Sequence, residues 1–162
     1  KTYGLIHFYN HAGGAYLPCH FVKAYVLKFI FAAIVVLFLN SVNAQDVKAV
    51  YHITTGVETA AGALSNIQNH LSADPKVKII VVTNGSGIDF LLLDAKDSRG
   101  REFSSSVSTL ATQGVEFRVC ENTLNTRNLT SDKLLLEAKV VPSGVAEAAN
   151  LQAKEGYIYI KP

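Results

Sequence analysis

Apolar residues recur along this chain in three rhythms, and each predicts a different element. Val47–Ile53 and Val77–Thr83 are short runs rich in Val, Ile and Tyr, the second nearly continuous, as in a strand covered on both faces of a parallel sheet. Val115–Cys120 alternates as a strand does, and Lys139–Val141 and Tyr157–Ile160 are shorter runs of the same kind. Between the first two strands Val57, Ala60, Ala61, Leu64, Ile67 and Leu71 recur at three and four, which predicts a helix with one buried face. Thr55 and Glu58 have the spacing of a capping box that would open it, and Asp74-Pro75 closes it. A second helix is predicted over Glu102–Gln113, interrupted in quality by Ser104-Ser105-Ser106 and ended by Gly114. Helical turns are expected over Ile88–Ala95 and Ser131–Glu137, with a polar turn at Asp97–Gly100 between them, and Pro142-Ser143-Gly144 opens a last helix to about Lys154.

Strand and helix alternate from Gln45 to the end, with no internal repeat, linker or low-complexity tract. The fold class this predicts is α/β: a mostly parallel sheet of about five strands, with helices on both sides in a three-layer α/β/α arrangement.

The third rhythm is an unbroken apolar run, Phe29–Leu39, preceded by Lys23 and Lys28 and followed by Val42 and Ala44 at the −3 and −1 positions of a cleavage site after Ala44. Its 11 residues fall short of the roughly 20 that a membrane-crossing helix needs. A cleaved signal is therefore expected rather than an anchor, with membrane contact only before cleavage and a mature protein that is periplasmic or secreted from a bacterial cell. The expected organisation is 1–21 as a non-native extension, 22–44 as the signal peptide and 45–162 as the working domain. Because the chain contains no Met, translation is expected to begin at a non-Met codon near Val22.

Setting the leader aside changes the charge and removes a motif. The whole chain carries a formal +2, but Lys1, Lys23 and Lys28 lie in the leader, leaving 12 basic residues against 13 acidic ones. The working domain is near neutral, and no nucleic-acid partner is expected. His7, His11, Cys19 and His20 have side chains that suit zinc, yet Gly13-Gly14 and Pro18 break any shared helix and export would discard the group. No metal and no other cofactor is expected.

In parallel α/β sheets ligands bind at the carboxyl ends of the strands, so the residues following each strand are the candidate site. These are His52, then Asn84-Gly85-Ser86-Gly87, then Cys120 with Glu121, Asn122 and Thr123, and finally Pro142-Ser143-Gly144. The Gly85-Ser86-Gly87 loop is no dinucleotide fingerprint, because Phe90 stands where the third glycine belongs. It is either a tight turn or a loop whose N–H groups face an anion or a cysteine side chain. Cys120 is the lone cysteine of the working domain, so it forms no internal disulfide. Two readings stay open: a small buried apolar residue, or a reactive thiolate favoured by the N–H groups of a turn that Asn122 or Thr123 caps. Glu121 opposes the thiolate, and Arg127 is a candidate to offset that charge. His52 is either a satisfied structural histidine or a proton donor near the thiol. The two residues form a nucleophile–base pair only if their strands are neighbours, and with no third orienting group in view a hydrolase is not expected.

Three blocks carry a resemblance. Lys78–Asn84 running into Gly85-Ser86-Gly87-Ile88-Asp89-Phe90-Leu91, Gly114–Leu124 with its Cys-x-Asn-Thr-Leu core, and Val140–Glu147 with Val-Pro-Ser-Gly, ending in Gly156-Tyr157, together resemble exported members of the DsrE/DsrF-like family. The resemblance covers essentially all of the working domain. It implies the three-layer fold, frequent homo- or hetero-oligomerisation and, in the sulfur-relay branch, a cysteine that carries sulfur as a persulfide, a role open here to Cys120. The relay proteins act in the cytoplasm, whereas this chain looks exported. The expected function is a sulfur carrier or sulfurtransferase-like protein that meets a donor or acceptor protein. The backbone of Gly85–Gly87, Asn122 and Ser143-Gly144 would supply the donors around the sulfur. The alternatives are a non-catalytic small-ligand-binding or assembly module with Cys120 packed, and a disulfide joining subunits. Whether the protein turns over as an enzyme is open.

Overall fold

The computed structural model describes residues 46–162; the leader, its cleavage site and the His7, His11, Cys19 and His20 group lie outside the described residues. Gln45–Pro162 form one compact unit. Its strands are β1 (Lys48–Ile53), β2 (Lys78–Thr83), β3 (Glu116–Cys120), β4 (Ala138–Val141) and β5 (Ile158–Ile160). All pair in parallel, in the spatial order β4-β3-β2-β1-β5. The helices are α1 (Val57–Ala73), α2 (Phe103–Thr112), α3 (Glu121–Thr126) and α4 (Gly144–Glu155), with 3-10 turns at Gly85–Leu91 and Ser131–Lys133.

Side chains alternate across a strand, and registered neighbours in a parallel sheet share a face, so parity sorts the core into two layers. One face carries Ala49, Tyr51, Ile53, Ile79, Val81, Phe117 and Val119 and is covered by Ala60, Leu64 and Ile67 of α1, Phe103 and Val107 of α2, and Leu124 of α3. The other carries Val50, Ile80 and Val82 and is covered by Ala148 and Leu151 of α4. Arg118 on this second face bonds to Glu147 of α4 and, at 3.0 Å, to Glu116, fixing the helix across β3. Helices on both faces of a five-stranded parallel sheet are the α/β architecture that the hydrophobic rhythm predicts.

The departures are local. Thr55 does not cap α1: its hydroxyl bonds to that of Thr59 at 2.8 Å, and the helix starts after Gly56, which supplies no side-chain cap. The expected helical turns over Ile88–Ala95 and Ser131–Glu137 are 3-10 turns that stop at Leu91 and Lys133. The reason is tertiary, since Leu93 N–H bonds to Lys133 carbonyl at 2.8 Å and Leu135 N–H to Leu91 carbonyl at 2.9 Å. Leu92 and Leu134 form an antiparallel bridge there, which takes both segments out of helical geometry.

Candidate functional site

β3 and β4 leave the sheet in opposite directions. From Cys120 the chain enters α3 on the larger core face, whereas from Val141 it enters α4 on the other. Cys120 and Val141 are registered partners, so the crevice between these strand ends is a topological switch point, where open α/β sheets hold their ligands. Cys120 is 5% exposed and forms the floor of a pocket of about 320 Å³, walled by Asn84, Gly85, Asn122, Thr123, Arg127 and Ser143. That volume suits a small anion or one added sulfur atom on the thiol. A groove of about 370 Å³ between α1 and α2 is no smaller, but no cysteine or histidine lines it.

Two helices begin at the thiol. Cys120 is itself the N-cap of α3, so the N–H groups of Asn122 and Thr123 face its sulfur, though none closes a full capping hydrogen bond to it. Gly144 is the first residue of α4, whose cap is Ser143, the hydroxyl oxygen accepting from Ala146 N–H at 3.4 Å. A side chain at position 144 would put a Cβ 3.2 Å from the Cys120 Cβ and 3.1 Å from the Thr83 carbonyl oxygen, so glycine is what lets the start of α4 approach the sulfur. Burial pushes the thiol up. The Gly144 N–H, the hydroxyl and N–H of Thr123 and the N–H of Asn122 outweigh that, and together they hold Cys120 below the ordinary cysteine range.

The Gly85 loop serves this arrangement from behind. Gly85 N–H donates to Thr123 Oγ1 at 3.1 Å, which leaves the Thr123 hydroxyl proton for the sulfur. Gly85 itself has φ +58, a conformation that glycine adopts without strain. Gly87 N–H donates to the Asn84 carbonyl at 3.0 Å, and the added Cβ at Gly87 would sit 2.1 Å from the Ile53 carbonyl oxygen. The N–H groups of Gly85 and Gly87 are therefore spent on the protein rather than offered to an anion. Ser86 and Gly87 do not line the pocket. Arg127 pairs with Asp89 at 2.6 Å and reaches the Gly85 carbonyl at 3.3 Å, so it braces the loop instead of offsetting Glu121.

His52 is buried on the α4 face, with β2 between it and β3, and it makes no direct pair with Cys120. Its Nδ1 meets the Tyr159 hydroxyl at 2.9 Å and its Nε2 meets Asn84 Oδ1 at 3.0 Å. Burial lowers its pKa, the bond to Asn84 works against that, and Lys161 adds to the lowering, so the neutral ring is favoured. Tyr159 was not among the residues singled out from sequence. Its period-two match with His52 across the β1–β5 pairing is the signal that a strand-order guess would have exposed.

The DsrE/DsrF-like family model matches residues 32–162. Among solved structures, a protein of unknown function from Methanobacterium thermoautotrophicum, MTH1491, is 36% identical over 72% of this chain and all of its own, with a TM-score of 0.66. The ychN protein from E. coli covers the same shares at 12% identity and a TM-score of 0.58, a likeness of fold alone. No curated protein matches the chain.

Proposed function

The chain belongs to the DsrE/DsrF-like family, and on that premise we propose that it carries sulfane sulfur on Cys120. The observation that carries this reading is the thiol held below its ordinary pKa at the floor of an open pocket, between the starts of α3 and α4. A persulfide carrier needs a thiolate to attack, room for one more sulfur, and donors for the negative charge that the added sulfur bears.

The step balances without an oxidant. The Cys120 thiolate attacks the outer sulfur of a donor persulfide, polysulfide or thiosulfate. A new S–S bond forms, the donor's S–S bond breaks, and the donor leaves as a thiolate, a shortened polysulfide or sulfite. An acceptor thiolate then attacks the terminal sulfur on Cys120, takes it as its own persulfide and returns the Cys120 thiolate. Asn122, Thr123 and the start of α4 at Ser143-Gly144 are the donors for the charge in both directions.

Incubation with inorganic polysulfide followed by intact-protein mass spectrometry tests the reading. One added sulfur on the native chain and none on Cys120→Ser is the expected result; equal addition on both, or none on the native chain, overturns it. The burial of Cys120 favours a second reading, a binding or assembly module with a packed thiol. In that case the thiol reacts with an alkylating reagent only after denaturation. Our reading places the mature protein outside the cytoplasm, on the strength of the Phe29–Leu39 run and the Val42 and Ala44 cleavage positions. A mature N-terminus at Gln45 in the exported fraction is the expected finding.

A further inference from the structure

Tyr159, His52 and Asn84 form a hydrogen-bonded chain that runs across the α4 face from the β5 edge to the wall of the Cys120 pocket. The register places them there: Tyr159 is the partner of Val50, so it shares a face with His52, and Asn84 continues the parity of Ile80 and Val82 one step beyond β2. His52 is 7% exposed, and both of its ring nitrogens are engaged. A neutral ring that donates from Nε2 to Asn84 Oδ1 has Nδ1 free to accept the Tyr159 hydroxyl proton, so the three groups fix one another's orientation. Commitment of Oδ1 to the imidazole fixes the rotation of the Asn84 amide. Its NH2 group has no hydrogen-bond partner among the described residues, and Asn84 walls the Cys120 pocket.

We infer that the Tyr159–His52–Asn84 chain holds the Asn84 amide NH2 as a donor to an anionic group at Cys120, with His52 and Tyr159 as positioning residues. The inference rests on the carrier reading for the identity of the anion, namely the terminal sulfur of a Cys120 persulfide or the charged end of its small donor. Asparagine is suited to the task because its amide offers an acceptor to one neighbour and a donor to another while carrying no charge that would disturb the thiolate. A free Asn84 amide could present either its oxygen or its NH2 toward the pocket, and the imidazole N–H fixes the NH2 there.

Two measurements separate this inference from the carrier reading. The first needs no sulfur: the ratio of Cys120 alkylation by iodoacetate to that by iodoacetamide reports a donor for an anion beside the thiol. The ratio is expected to fall about tenfold or more in Asn84→Ala, and to a similar or smaller degree in Tyr159→Phe and His52→Leu, the size that one hydrogen bond to a charged group carries. His52→Gln, whose amide N–H replaces Nε2–H, is expected to restore it. Iodoacetamide rates and the pH at which they rise should stay near native in the Tyr159 and His52 variants, since neither of those side chains reaches the sulfur. Tyr159 is on an edge strand and 40% exposed, so Tyr159→Phe is expected to fold even if His52→Leu does not. The second measurement is sulfur loading from inorganic polysulfide, expected to fall in the same order. An unchanged ratio in Tyr159→Phe and Asn84→Ala overturns the positioning role, whatever the native chain does with sulfur. A native chain that takes no sulfur but shows the ratio effect overturns the carrier reading and leaves the positioning role standing.

Discussion

At Cys120 two effects compete, and their balance has measurable signs. Burial favours the thiol, and the converging N–H groups with the Thr123 hydroxyl favour the thiolate, which wins. The rate of iodoacetamide reaction should therefore rise with pH at a lower value than the roughly 8.5 of a free cysteine. Thr123→Val removes the hydroxyl and strands the Gly85 N–H that it accepts from. It is expected to move that rise upward, slow the reaction near pH 7 by roughly threefold to tenfold and cost about 1 kcal/mol in a urea titration. The linkage has one sign. Because the folded pKa is depressed, ionised Cys120 adds stability above the unfolded thiol's pKa, and that contribution is lost as pH falls through the folded value. The native chain should thus gain more stability than Cys120→Ser as pH rises toward the roughly 8.5 of an unfolded thiol, read from urea midpoints.

At the scale of elements, glycine positions separate space from conformation. Gly62 lies within α1, where an added Cβ meets nothing within 4 Å, so Gly62→Ala should stabilise the fold by about 0.5–1 kcal/mol. At Gly87 the same methyl group would lie 2.1 Å from the Ile53 carbonyl oxygen and 2.9 Å from the Thr54 Cα, both backbone, and no rotamer relieves that. Gly87→Ala is expected to lower the thermal midpoint sharply. Gly144→Ala is intermediate, with contacts of 3.1–3.4 Å to Thr83, Cys120 and Asn84. A loss of about 1–3 kcal/mol is expected, together with an upward move of the Cys120 pH profile as the start of α4 is pushed from the sulfur. The helix starts also show where local reading fails. The Thr55–Glu58 spacing is that of a capping box, yet Thr55 finds Thr59 instead. The six-residue α3 is too short to produce an apolar period, and only the turn after Cys120 was visible.

For the whole molecule, the sheet order sets the stability gradient. β1, β2 and β3 are paired on both sides, whereas β4 and β5 are edges and β5 has only three residues, with Ile158 and Tyr159 exposed. Amide exchange should be slowest in β1 and β2 and fastest in β5. Gln45–Pro162 contain both core layers, so a chain beginning at Gln45 should unfold in one cooperative transition at the thermal midpoint of that unit.

The period of the apolar residues by itself determined the strands, the long helices and the fold class. Near-continuous Val and Ile in β2, alternation in β3 and a three-four period in α1 are local consequences of pleat and helical turn, and each is written in neighbouring residues. The same local logic put Cys120 at a strand end and Ser143-Gly144 at a helix start. Tertiary structure alone decided which strand ends meet. The order β4-β3-β2-β1-β5 brings the start of α4 onto Cys120, keeps His52 one strand away from it and returns Tyr159 to the side of β1 after 107 residues. Those pairings depend on register between strands distant in sequence, which no local periodicity encodes, and they turn a lone cysteine into a thiol with neighbours.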